Sequence, residues 1–227
     1  RVAVVERERP GGVCLNWGCI PSKARLSGAE LVESLRAHGE SFGISASGVT
    51  LDYGKAIDHS RKVSDRLCKG VESLFKKHRI SLVPGVGRLA GPGALAVCGA
   101  DETRIEADQV ILATGSGELV PGGVKLEPGR VLTSREALES KTIPPRLVII
   151  GAGAVGIEFA YVYANYGSAV TLIEMADQML PGADPDVAQA LQREFRRKKI
   201  DVQLGTRFEE IKTANGVVRV QVRKGEA

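Results

Sequence analysis

Aromatic side chains make up only 4% of this 227-residue chain. Without aromatics interleaved among basic residues there is no platform on which bases could stack. Charge excess is missing too. The net charge is +4 and the pI near 8.9, acidic and basic residues alternate, and the main cluster, Arg193 with residues 196–199, reads as the solvated end of a helix. A nucleic-acid partner is not expected. Nor is there a long hydrophobic run: the longest uncharged stretch, residues 159–173, is too short for a bilayer and is interrupted by Asn165 and Gly167. The expectation is a soluble protein with no membrane partner, cytoplasmic or, in a eukaryote, in the mitochondrial matrix. No charged-then-apolar leader opens the chain, but Arg1 runs directly into the strand-like residues 2–5, so an upstream segment is expected to precede it.

Cysteine and histidine are sparse as well. Four cysteines, at 14, 19, 68 and 98, are too few for a secreted disulfide scaffold and form no CxxC pair. The three histidines, at 38, 59 and 78, are scattered, so no zinc ligand set is expected and no metal is assigned. Cys68 and Cys98 sit in apolar-periodic surroundings and read as buried small hydrophobes.

What is present begins with "GGVCLNWGCIPSKA", residues 11–24. Cys14 and Cys19 are five positions apart, and in a regular helix such a pair lies about 8–9 Å apart between Cα atoms. A relaxed disulfide needs roughly 4.4–6.8 Å. A bridge would therefore require a bent backbone, which Gly18 tolerates, while Pro21 suits the first turn of a following helix. Cys19 then falls near a helix N-terminus, whose positive end favours a thiolate, with Lys23 one turn on. Two free buried thiols remain the alternative on spacing alone.

Glycine marks the second feature. "RLVIIGAGAVGIEFA" reads as an apolar strand at 147–150, then Gly151, Gly153 and Gly156 in GxGxxG, then a helical stretch over 155–166. A second strand, 170–173, ends on Glu174, 23 residues after Gly151 and close to the roughly 20 of a dinucleotide fingerprint. In that arrangement Gly151 makes the tight turn, Gly153 admits the pyrophosphate and Gly156 lets helix pack on strand. Glu174 would accept the ribose hydroxyls and oppose a 2′-phosphate, which favours NAD. Residues 2–5 form a similar strand ending on Glu6, another candidate for ribose hydroxyls; the same spacing puts its glycine loop ahead of residue 1.

Between these landmarks, residues 56–77 carry apolar side chains at 56, 63, 67, 71, 74 and 75, a helical stripe. Short strands are expected at 80–83, 94–98 and 109–113, the last running into "ATGS", where Thr114 and Gly115 allow close approach of the backbone to a nucleotide. Residues 117–130 read as a linker, 184–199 as a helix, and 201–204 and 217–222 as strands.

Together, "VAVVE", "GGVCLNWGCIPSK", "ILATG", "IPPRLVIIGAGAVGIEFA" and "VTLIEMADQMLPGADPDV" resemble, in order and over the whole chain, the flavin-dependent pyridine nucleotide-disulfide oxidoreductases. The resemblance implies an α/β fold of two Rossmann-like dinucleotide-binding domains, both incomplete: an FAD-type domain over 1–143 and an NAD-type domain over 144–227. It implies FAD and NAD as cofactors. Cys14 corresponds to the interchange thiol that meets a lipoyl disulfide and Cys19 to the thiolate beside the flavin. Lys23 and Glu158 correspond to a pair near the flavin's reactive nitrogen. The partners implied are a lipoyl domain of a 2-oxoacid dehydrogenase complex or of the glycine cleavage system, and a second copy in a homodimer. The same fold also serves other disulfide reductases, mercuric reductases among them, and a binding module with structural cysteines is the non-enzymatic alternative. Two departures stand out: no histidine follows His78, and "GSGELVPGG" replaces an Arg-Pro element after "ATG".

Overall fold

A computed structural model describes residues 1–99 and 102–225. The chain divides into two compact units, residues 1–21 with 61–117, and residues 22–60 with 118–227.

In the first unit, β-branched side chains give strand β1 (Ala3–Glu6), followed by a short helix α1 (Gly12–Trp17). Helices α2 (Cys19–His38) and α3 (Tyr53–Lys77) each run from one unit's residues into the other's. Strand β2 (Ser81–Pro84) pairs parallel to β1, with Ala3 opposite Ser81 and Glu6 opposite Pro84. Strands β3 (Val86–Leu89), β4 (Ala94–Cys98) and β5 (Glu102–Glu106) form an antiparallel meander in that order.

Three expectations change here. Residues 109–113 form no strand. The segment has no ladder partner among the described residues, and Ile111 and Leu112 stay in solvent, Ile111 at 90% exposure. Helix α3 forms as expected, but its buried positions are Tyr53, Ile57, Ser60, Ser64 and Cys68, whereas Val63, Val71 and Phe75 are half-buried and Leu67 and Leu74 exposed. Small polar residues can occupy such a face when their hydroxyls bond locally, as Ser60 does to the Ile57 carbonyl at 2.8 Å. Cys68 is buried, but Cys98, at the end of β4, is exposed.

In the second unit, helix α4 (Ser134–Glu139) starts with a capping box. Thr133 Oγ1 accepts the Glu136 N–H while Glu136 returns a carboxylate oxygen to the Thr133 N–H. The alternation β6 (Arg146–Ile150), α5 (Ala154–Asn165), β7 (Ala169–Ile173), α6 (Pro185–Arg197), β8 (Asp201–Gln203) follows. It builds a parallel sheet of order β6-β7-β8. Central β7 buries Val170, Leu172 and Ile173, and α5 buries Phe159, Ala160 and Val162. The chain closes this unit with the hairpin β9 (Thr206–Ala214) and β10 (Val217–Lys224). Its Asn215-Gly216 turn has both residues at positive φ, 51° and 77°, the twist-compatible two-residue connection. No helix among the described residues is long and apolar enough to cross a membrane.

Candidate active site

Cys14 and Cys19 are joined in a disulfide with their Cα atoms 4.6 Å apart. The bend that makes this possible lies between them. Helix α1 stops at Trp17, Gly18 turns the chain at φ −145° and ψ −118°, and α2 starts at Cys19 itself. A Cβ on Gly18 would come within 3.0 Å of the Val13 carbonyl oxygen and 3.1 Å of the Cys14 Cα, so a side chain there would crowd the backbone of the kink. Cys19 therefore occupies the first position of a 20-residue helix that has no acidic residue in its first turn. The unpaired N–H groups and dipole of that end favour the thiolate of a reduced cysteine.

Asn16, between the two cysteines, is fully buried. Its amide nitrogen donates to the carbonyls of Pro10 and Gly12, each at 3.1 Å, and its own carbonyl accepts Arg61 Nη1 at 2.6 Å. Helix α3 grips the same loop twice more, through the Arg9–Asp65 ion pair at 2.6 Å and the Cys68 thiol, which donates to the Pro10 carbonyl at 3.4 Å. None of these was read from the sequence. Asn16 gave no signal there, and Arg61 and Asp65 are ordinary charges on an amphipathic helix until the loop is packed on them.

In the second unit, Lys23 donates to Glu158 Oε1 at 2.5 Å, joining residues 135 positions apart. Further contacts hold α2 to α5, among them Arg36, which donates to the Asn165 carbonyl at 3.0 Å. Arg25, only 2% exposed, lies 4.9 Å from the Phe159 ring centroid, 5.4 Å from that of Tyr53 and 5.5 Å from that of Tyr163, and it donates to the Tyr53 hydroxyl. Ring faces offset part of the cost of burying this cation, and burial pushes the Tyr53 hydroxyl well above its ordinary pKa. Glu33 accepts the Tyr161 hydroxyl at 2.5 Å and pairs with Lys198, whose ammonium sits over the Tyr161 ring and is lowered in pKa by burial. Arg25 had a legible signal. It falls in helical phase with the buried Ser22, Ala29 and Val32.

The glycine turn follows β6. Gly151 takes φ +101°, a conformation that suits glycine, and its N–H donates to the Ile173 carbonyl at 2.8 Å, tying the turn to β7. A Cβ on Gly156 would overlap the Gly151 carbonyl oxygen, whereas one on Gly153 would meet nothing within 4 Å. Glu174, 8% exposed, accepts the Ala152 N–H on Oε2 at 2.8 Å and the Ala176 N–H on Oε1 at 2.9 Å. Its link to the glycine loop was not foreseen. The other nucleotide candidates are less enclosed: Glu6 ends β1, half-buried, with Oε1 accepting the Glu8 N–H at 2.9 Å. Thr114 and Gly115 are exposed in irregular chain, Gly115 at φ +73°.

The family model for pyridine nucleotide-disulphide oxidoreductases matches residues 1–227. The chain is 38% identical over 210 residues to the dihydrolipoyl dehydrogenase of Chlorobaculum parvum, covering 92% of this chain and 45% of that protein. It is 40% identical over 225 residues to the dihydrolipoyl dehydrogenase of Mycobacterium tuberculosis, covering 98% and 48%. Among solved structures, LpdA of Mycobacterium tuberculosis superimposes with a TM-score of 0.90 at 22% identity, over 100% of this chain and 50% of that one. The HOCl-induced flavoprotein disulfide reductase RclA of Escherichia coli gives 0.82 at 28% identity, over 97% and 47%. The chain thus spans about half the length of the curated relatives it matches.

Proposed function

Since the chain belongs to the pyridine nucleotide-disulphide oxidoreductase family, we propose that it carries the redox pair and nucleotide sites of a dihydrolipoyl dehydrogenase, oxidising dihydrolipoyl groups and reducing NAD. The observation that carries this reading is the Cys14–Cys19 bridge across the Gly18 kink, at the head of a helix that favours a thiolate. In this reading residues 1–143 form the FAD domain and residues 144–227 the NAD domain. The substrate is borne by a lipoyl domain of a 2-oxoacid dehydrogenase complex or of the glycine cleavage system. The working form is a homodimer in the cytoplasm or mitochondrial matrix.

The residues fit both nucleotides. Glu6 has a second carboxylate oxygen for a ribose hydroxyl beyond the one bonded to Glu8, and Thr114 and Gly115 would line the same nucleotide. Gly153 leaves room for a pyrophosphate at the start of α5, where the first N–H groups lack helical partners. Glu174 would receive the NAD ribose. When bound, the flavin and nicotinamide supply hydride chemistry that no side chain can perform.

The protein's own part is exchange and proton placement. A substrate thiolate attacks Cys14, the Cys14–Cys19 bond breaks, and Cys19 leaves as a thiolate stabilised by the α2 N-terminus. The second substrate thiol then displaces Cys14, so the substrate dithiol loses two electrons and two protons while the protein's disulfide gains them. Lys23 would place a positive charge beside the flavin, and Glu158 would keep that charge compensated.

The test is spectroscopic. In the full-length flavin-loaded protein, Cys14→Ser leaves Cys19 as a lone thiolate against oxidised flavin and gives a long-wavelength charge-transfer band; Cys19→Ser gives none. Both variants lose turnover with dihydrolipoamide. Identical spectra from the two variants would refute the division of labour.

A further inference from the structure

Asn16 lies in the one stretch of backbone that must stay bent for Cys14 and Cys19 to meet. Its carbonyl is among the last four of α1, which a continuing helix would satisfy from the N–H four residues on, that of Ile20. Because Gly18 breaks the helix, that partner is lost, and Arg61 donates to the carbonyl instead at 2.6 Å. The two bonds compete. A continuous helix from α1 into α2 would return the carbonyl to Ile20 and carry the two Cα atoms from 4.6 Å to about 8–9 Å, beyond the reach of a disulfide.

We infer that Arg61 is a positioning residue for the redox pair: by occupying the Asn16 carbonyl it holds the α1–Gly18–α2 kink in the reduced protein, so that the dithiol stays poised to close. This rests on the redox reading of Cys14 and Cys19 given above. The surroundings make Asn16 a firm point of attachment. Its side-chain amide is fixed in orientation by two carbonyl acceptors, Pro10 and Gly12, and the start of the loop is anchored to the same helix at Asp65 and Cys68. A six-residue helix has little stability of its own, so with no disulfide these contacts decide the shape of the loop. Arg61 also brings a cation to the C-terminal end of α1, which the helix dipole favours.

Holding the dithiol in its closing geometry lowers the entropy lost on oxidation and so favours the disulfide. Removing Arg61 should make the pair easier to reduce. The experiment equilibrates the full-length flavin-loaded protein with mixtures of reduced and oxidised dithiothreitol. In that exchange the Cys14–Cys19 disulfide gains two electrons and two protons as dithiothreitol closes to its own cyclic disulfide. The dithiol and disulfide forms are counted by alkylation and mass spectrometry.

Arg61→Met should lower the disulfide-to-dithiol ratio about tenfold, equivalent to a potential about 30 mV higher. Arg61→Lys, which keeps an N–H donor and the charge, should recover most of the shift. Lys62→Met makes the same charge change one residue on, at an exposed position, and should match the wild type. A wild-type ratio in Arg61→Met, or an equal shift in Lys62→Met, overturns the inference while leaving the redox pair intact. A wild-type pair that never exchanges with dithiothreitol overturns the proposed function and this inference with it.

Discussion

Glu174 shows how much a single carboxylate can be asked to do. Each of its oxygens already holds a backbone N–H, one in the glycine turn at Ala152 and one just past β7 at Ala176. Hydrogen bonds to a charged acceptor in a buried setting contribute about 1.5–3 kcal/mol. Glu174→Gln turns one oxygen into a donor facing an N–H. It should lower the melting temperature by about 3–12 °C, at about 2–4 °C per kcal/mol for a chain of this size, as read by calorimetry. In the full-length enzyme the same carboxylate should oppose a 2′-phosphate, and like-charge opposition costs several kcal/mol. NAD should be preferred over NADP by at least about 10²-fold in kcat/KM, and Glu174→Arg should narrow that ratio at some expense in stability. A wild type using both nucleotides equally would remove Glu174 from this role.

Helix α5 depends on one absent side chain. Gly156 faces the Gly151 carbonyl, and a methyl group there must push the helix off the turn. Overpacking of this kind costs about 1–3 kcal/mol. Gly156→Ala should therefore lower the urea midpoint, whereas Gly153→Ala, with open space around it, should leave the midpoint nearly unchanged and weaken NAD binding. Equal losses of stability at both positions would contradict this division. The GxGxxG strand-turn-helix was legible because three glycines, an apolar strand and an acid at fixed spacing all serve one backbone turn. Other elements were written just as locally but went unread: the Thr133/Glu136 capping box and the Asn215-Gly216 turn that pairs β9 with β10 both show in the sequence. The buried face of α3 was not legible. Its serines follow no hydrophobic pattern, and over residues 61–68 the loop carrying Arg9, Pro10 and Asn16 is held against it through Arg61, Asp65 and Cys68. Residues 109–113 failed in the opposite sense, since an apolar run becomes a strand only when a neighbour offers it a ladder.

At the scale of the molecule, the Lys23–Glu158 pair is a contact that no local signal could reveal. The Lys23 side chain is 61% exposed and that of Glu158 24%, so the pair adds at most about 1 kcal/mol to stability, and melting curves are the wrong instrument for it. Flavin reduction by NADH in the full-length enzyme is the better readout. Lys23→Met, Glu158→Gln and the double variant should show a coupling above about 0.5 kcal/mol, and strict additivity would mean that the two do not act as a unit. The division of the chain into two units has a consequence of another kind. Neither is a contiguous segment: the first takes residues 1–21 and 61–117, the second residues 22–60 and 118–227. A single recombination event with a related gene must therefore break at least one of them, wherever it falls. Keeping both intact takes three junctions, after residues 21, 60 and 117. Two of those lie inside α2 and α3, where parental sequences have to agree on helical phase before their halves can be spliced.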